Sequence, residues 1–135
     1  MRARPYATTS PTRLAAALLE VAARIGLGGA SVGRTPGGFD DDVAAATVHR
    51  ALELGLTLID TSPAYGASQR RIGRALRAWY TRGRGRDELV LSTKTGRDAD
   101  GNMDYSDAGI RRQLDESCEL LGTEYVDVLH VHDPE

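Results

Sequence analysis

Lysine occurs once in this sequence, at Lys94, although the chain carries 17 basic residues and the other 16 are all arginine. That bias points to a position where a compact amine with a movable proton serves and a guanidinium does not. Asp60 and His132 share an unusual placement with Lys94: each closes a short apolar run, Leu56 to Asp60, Glu88 to Lys94 and Tyr125 to His132. Asp60 beside Lys94 on adjacent strands would compensate both charges, a pairing that a purely structural ion pair would explain as well. Tyr65, in the loop Thr61-Ser62-Pro63-Ala64-Tyr65-Gly66 after Asp60, can lean a phenol over the same strand ends. An ammonium group beside a phenol favours the phenolate and makes the tyrosine a usable general acid. His130 lies two residues before His132; the strand-end position assigns the working role to His132 and a hydrogen-bonded core role to His130. The two histidines lack a third ligand at suitable spacing, so no metal site is expected.

The elements that must hold these residues follow from the pattern between them. Short runs suited to strands alternate with longer helical ones, which is the signature of a βαβ series. Strand one is expected at Arg24 to Gly29, followed by a Gly/Pro-rich loop over Ser31 to Phe39 and the capping aspartates Asp40, Asp41 and Asp42. A first helix runs from about Asp42 to Leu54 with Val43, Ala46, Thr47, Ala51 and Leu54 inward, closed by Gly55. A second spans Ser68 to Tyr80, where Ile72, Ala75, Leu76 and Trp79 form an apolar stripe and Arg70, Arg71, Arg74 and Arg77 are assigned to solvent. After a Gly/Arg turn over Thr81 to Arg86 and strand three, Ser106 caps a third helix that continues to Leu121 with Ile110, Leu114, Ser117, Cys118 and Leu121 inward, and Gly122 ends it.

Composition narrows the classes of function. The chain is 41% hydrophobic and 27% charged, with a net charge of −2, so it offers no electrostatic case for nucleic acid or acidic lipid. Cys118 is the only cysteine, which excludes an internal disulfide and fits a cytoplasmic protein in which this residue is a small core side chain. The apolar stretch Leu14 to Ala23 contains Glu20 and has roughly half the length of a membrane span. Residues 1–13, rich in Arg, Thr, Ser and Pro, are expected to be a disordered leader, with residues 14–135 forming the folded unit.

Four parallel strands and three helices fit either half of an eight-stranded barrel or a small doubly wound sheet. A dinucleotide fingerprint of the doubly wound kind fails, because Gly26-Leu27-Gly28-Gly29-Ala30-Ser31 has serine at the third glycine position and leads into a loop. Those glycines allow either close approach to something bound at the strand end or a tight turn. Charged residues at the carboxyl ends of parallel strands are where active sites of both folds are built.

Leu58-Ile59-Asp60-Thr61-Ser62-Pro63-Ala64-Tyr65-Gly66, Leu91-Ser92-Thr93-Lys94, and Tyr125-Val126-Asp127 through His132-Asp133-Pro134 together resemble the aldo-keto reductase family over roughly residues 24–135. Asp104-Tyr105-Ser106 with His132-Asp133-Pro134 is similar to members that oxidise free aldoses, the aldose and fucose dehydrogenases. The resemblance implies an α/β fold of the (β/α)8 TIM-barrel type, here its first four strands and three helices. It also implies an NAD(P)-dependent oxidoreductase, with NADP(H) or NAD(H) exchanging hydride with a small carbonyl or sugar. In that reading Tyr65 exchanges the proton, Lys94 supports it, Asp60 keeps Lys94 charged, and His132 orients the carbonyl oxygen. Gly29 and Ala30, with Asp60, match the region beside the nicotinamide. Two departures accompany it. Family members open with a β-hairpin, whereas Leu14 to Glu20 reads as a helix, and they carry four further strands, so a partial chain is expected to be inactive alone and to self-associate through unpaired edge strands. A non-catalytic nucleotide-sensing or half-barrel interaction module is the alternative.

Overall fold

The structure is a computed structural model that describes residues 25–34 and 40–133. The leader at residues 1–13, the helix-like stretch at 14–23, the start of strand one at Arg24, the end of the Gly/Pro loop at residues 35–39, and Pro134 and Glu135 lie outside the described residues. Four strands, β1 (Leu27–Gly28), β2 (Leu58–Asp60), β3 (Val90–Thr95) and β4 (Val128–Val131), form one parallel sheet in the order β1-β2-β3-β4. They alternate with helices α1 (Ala30–Gly33), α2 (Asp41–Glu53), α3 (Ser68–Tyr80) and α4 (Asp107–Leu121). Strictly sequential order, with no reversal of strand direction of travel, separates this arrangement from a doubly wound sheet and matches consecutive units of a (β/α) barrel.

Local chemistry accounts for most element boundaries. The Asp40 carboxylate accepts from the Asp42 N–H at 3.1 Å and starts α2, while Asp41 and Asp42 sit in its first turn against the positive helix end. Ser106 caps α4 by accepting from the Gly109 N–H at 3.0 Å, and Gly122 closes that helix with a left-handed φ of 70°.

The core lies between the sheet and the helices. Ile59 and Leu91, from neighbouring strands, pack with Val48 and Leu52 of α2, Ile72, Leu76 and Trp79 of α3, and Leu121 of α4. Each fully buried side chain of this kind contributes about 1.5–3 kcal/mol relative to exposure. The expected α3 stripe is the buried one. Its neighbour differs: α2 buries Ala44, Val48, Ala51 and Leu52, leaving Val43, Ala46, Thr47 and Leu54 exposed. Both sets have helical spacing, and the one carrying Val48 and Leu52 puts more apolar volume against α3. In α4 the buried face is Gly109, Gln113, Ser117 and Leu121, while Ile110, Leu114 and Cys118 are only half-buried.

Four further expectations are corrected. Arg71 is not a solvated arginine: it is 7% exposed, and its guanidinium donates to Asp41 Oδ1 and to the Val32 carbonyl, both at 2.7 Å, joining α3 to α1 and α2. The loop expected after strand one begins as α1, and Glu88, expected to open strand three, belongs to a 3-10 turn over Arg86–Glu88. His130 is exposed rather than in the core, as are Leu129 and Val131 beside it, because β4 is an edge of the sheet among the described residues.

Candidate active site

Register brings the polar strand-end residues together. Gly28, Asp60 and Ser92 stand opposite one another across β1, β2 and β3, and Lys94 follows Ser92 by two residues, so all four share the face opposite the helices. Ser92 donates to Asp60 Oδ1 at 2.9 Å. Lys94 Nζ spends its three donors on Asp60 Oδ1 and Oδ2, each at 2.7 Å, and on the Thr61 carbonyl at 3.0 Å. The Lys94 side chain is 14% exposed and that of Asp60 37%, so the pair sits at the rim of the sheet and is open on one side.

Tyr65 reaches back over this pair, as its loop position requires. Lys94 Nζ lies 5.0 Å from the centre of its ring, within cation–π range. The His132 ring stands edge-on to Tyr65 at 5.8 Å between centroids and 89° between planes. Among the described residues no group bonds the Tyr65 hydroxyl, which leaves it available to an outside partner. The four residues Asp60, Tyr65, Lys94 and His132 therefore form one cluster. His130, one strand position before Val131, pairs in register with Lys94 but is not part of it.

The loop that carries Tyr65 is held from below by contacts that sequence reasoning did not reach. Gly33 packs its backbone against the Tyr65 carbonyl so closely that an added Cβ would sit 1.5 Å from that oxygen. Ser68 donates to the Gly29 carbonyl at 2.8 Å and bonds the Thr61 hydroxyl at 2.9 Å, tying the ends of β1 and β2. Gly29 in turn gives its N–H to the Asp60 carbonyl at 2.7 Å, and a Cβ there would lie 2.7 Å from that same oxygen. The tight-turn reading of this glycine thus has a physical cause within the chain. Ala30, half-buried, opens α1 directly after it.

On the other flank, His132 follows β4 and keeps its N–H on the Thr95 carbonyl at 2.8 Å. The Tyr105 hydroxyl donates to the His132 carbonyl at 2.9 Å and contacts the Asp133 carbonyl, while Arg97 pairs with the Asp133 carboxylate at 2.9 Å. Asp133 itself adopts a φ of 47°, a left-handed conformation that aspartate tolerates better than most residues. The sequence signal for this clamp was the Asp104-Tyr105-Ser106 segment, noted for its place before α4 rather than for contact with His132.

Chemically, the cluster offers a phenol beside a held ammonium and an imidazole, suited to moving one proton at an oxygen placed between them. Open space lies over Gly28, where an added Cβ would meet nothing within 4 Å, next to the Asp60 carboxylate. The donor set, a phenol, an ammonium and an imidazole beside this unfilled position, fits the reactive end of a nicotinamide cofactor in its chemistry. Among the described residues no group of three His, Cys, Asp or Glu could hold a metal, and no helix is long and apolar enough to cross a membrane. A separate cavity of about 450 Å³ opens at the opposite end of the sheet, lined by Tyr80, Arg86, Cys118 and Tyr125 among others. Burial pushes the Cys118 thiol up, with Asp115 adding to the effect, so the cysteine there is held away from its reactive thiolate.

Comparison with known proteins agrees with the geometry. The profile of the Aldo/keto reductase family matches residues 24–135. L-galactose dehydrogenase of Arabidopsis thaliana is 40% identical over 113 residues, 82% of this chain and 34% of the relative. D-threo-aldose 1-dehydrogenase of a Pseudomonas species is 34% identical over 95% of this chain and 44% of its own length. Among solved structures, an aldo-keto reductase of Bacillus halodurans in its holo form superposes with a TM-score of 0.63 at 29% identity, covering 82% of this chain and 37% of that one. A Bombyx mori aldo-keto reductase in complex with NADP gives 0.69 at 25% identity, covering 82% and 34%. The chain thus spans between a third and a half of the length of these relatives. With a family profile running from residue 24 to 135 and the strand-end cluster in place, this chain belongs to the aldo/keto reductase family.

Proposed function

We propose that this chain carries the proton-transfer corner of an NAD(P)-dependent oxidoreductase that interconverts a small carbonyl compound, an aldose in particular, and its alcohol form, with Tyr65 as general acid and base. The observation that carries the reading is the position of Lys94 Nζ, 2.7 Å from both Asp60 oxygens and 5.0 Å from the Tyr65 ring centre. The aldose class is supported by the names of two relatives, an L-galactose and a D-threo-aldose dehydrogenase.

In the oxidising direction the Tyr65 phenolate takes the proton of the substrate hydroxyl; in the reducing direction the phenol returns it to the carbonyl oxygen. Lys94 stabilises the phenolate through space, and Asp60 with the Thr61 carbonyl keeps the ammonium fixed and charged. His132 donates a hydrogen bond to the same substrate oxygen and orients it. The bound nicotinamide supplies or accepts the hydride. Gly29 and Ala30, with Asp60, would hold its reactive end. Residues 14–135 are taken as the N-terminal half of the barrel, so the phosphate-bearing end of the cofactor belongs to strands beyond β4. The lone Cys118, held as a thiol, fits a reducing, cytoplasmic setting.

The test is nicotinamide-coupled oxidation of aldoses by this chain combined with the C-terminal half of a matching relative. Turnover is expected, and Tyr65→Phe is expected to lower it about 10²–10⁴-fold; equal turnover by the two proteins overturns the assignment. A second reading is a pairing module without catalysis. Tight NADPH binding that Tyr65→Phe leaves unchanged, with no turnover, supports it. In either reading the chain alone is expected to self-associate, as light scattering would report.

A further inference from the structure

Ser62 is fully buried and touches both residues that would face the substrate oxygen. Its carbonyl accepts from the Tyr65 N–H at 3.1 Å, and its Oγ accepts from the Ala64 N–H at 3.2 Å and lies 3.2 Å from His132 Nδ1. A hydroxyl has one proton and two lone pairs. Were His132 protonated on Nδ1, Ser62 Oγ would accept from both Ala64 and His132, and its own proton, shut away from water, would have no other acceptor among the described residues. A buried unmet donor costs about 1–3 kcal/mol. In the opposite arrangement Ser62 accepts from Ala64 and donates to Nδ1, and every group is satisfied.

We propose that Ser62 is the positioning residue that fixes His132 as the Nε2–H tautomer, so that Nε2 is the donor left for the substrate oxygen. The inference rests on the proposed function for what that donor does, but the tautomer itself needs neither cofactor nor substrate. Ser62 reaches His132 through its side chain and Tyr65 through its backbone, so one buried residue sets the spacing between the group that moves the proton and the group that orients the oxygen. Tyr105, holding the His132 carbonyl, secures the backbone end of the same ring. His130 is exposed, and among the described residues no side chain makes a comparable contact to its ring.

Imidazole nitrogen NMR of the full chain, labelled at its three histidines, tests this. The His132 Nδ1 resonance is expected to be that of an unprotonated nitrogen accepting a hydrogen bond, with the proton on Nε2. Ser62→Ala is expected to shift Nδ1 to the position of a free acceptor and to let the two tautomers exchange, while His49 and His130 stay in place; Ser62→Thr, which keeps the hydroxyl, is expected to restore the wild-type resonance. A protonated Nδ1 in the wild-type chain overturns the proposal, whatever the variants do, and so does a His132 Nδ1 resonance that Ser62→Ala leaves unmoved. Absence of turnover in the assembled enzyme, by contrast, bears on Tyr65 and leaves this result standing.

Discussion

At both ends of the same sheet this protein sets a cation against a carboxylate and a tyrosine, yet the two arrangements do opposite work. At the amino ends of β3 and β4, Arg86 donates to the Thr123 hydroxyl, the Leu89 and Tyr125 carbonyls and Asp127 Oδ2 at 2.7–3.0 Å, and stacks 4.0 Å from the centre of the Tyr125 ring. Asp127 is engaged further by the Leu91 N–H at 2.8 Å. The planar fork of arginine joins four acceptors on two segments, which makes it a structural clamp. At the carboxyl ends, among the described residues, Lys94 meets its acceptors within Asp60 and Thr61, and no group bonds the Tyr65 hydroxyl above it. The single lysine among sixteen arginines falls at the end where, in the proposed function, the tyrosine moves the proton.

Mutations should separate the two ends. The largest effect is expected from Arg86→Ala, which strands Asp127 at a site where both side chains are under a fifth exposed; the expected loss is about 3 kcal/mol or more of stability, measured by urea unfolding. Lys94→Met should cost about 1 kcal/mol in the same assay, since Asp60 keeps Ser92 and water as partners, while removing turnover in the assembled enzyme. Comparable stability losses for the two variants would break the contrast. Gly33→Ala should fall between these two in stability, at about 1–3 kcal/mol, because its Cβ must push the Tyr65 carbonyl aside; its sharper consequence is a displaced Tyr65, visible as lost activity.

Smaller effects come from titration away from either end. Hydrogen bonds from Arg70, then Arg71, lower the Asp41 carboxyl from its usual 3.8 to about 2. Because the folded value lies below the unfolded one, the stability this group contributes is complete above pH 3.8 and is lost as pH falls towards 2. Asp41→Asn should flatten the acid side of the stability curve in that interval, as acid unfolding followed by circular dichroism would report. The least effect is expected at Cys118, whose raised thiol should react with alkylating reagents more slowly than a free cysteine at neutral pH. Rapid modification would mean that the cavity beside Arg86 opens in solution.

Much of the site was legible before the structure because its residues break local rules. Asp60, Lys94 and His132 are polar groups at the ends of apolar runs, and a strand's period of two, with parallel register, leaves them little choice of face. The α3 stripe was legible for the same reason, carrying one dominant apolar set. Helix α2 was not, since Val43, Thr47 and Leu54 compete with Ala44, Val48 and Leu52 at equal spacing, and only packing against α3 chose between them. Arg71 was assigned to solvent because a sequence shows charge but not the acceptors that the Val32 carbonyl and Asp41 bring from other elements.

Composition and spacing alone determined the alternation of strands and helices, the strand-end cluster and the family likeness, all of which depend on residue type and distance along the chain. Tertiary structure alone decided that the sheet runs in sequential order, that His130 stands outside the cluster, and that Ser62, Gly33 and Tyr105 hold Tyr65 and His132 in place. These last are contacts between residues up to 70 positions apart. No local pattern encodes them, because a buried serine or a close-packed glycine has the same spelling whether or not it meets a partner across the fold.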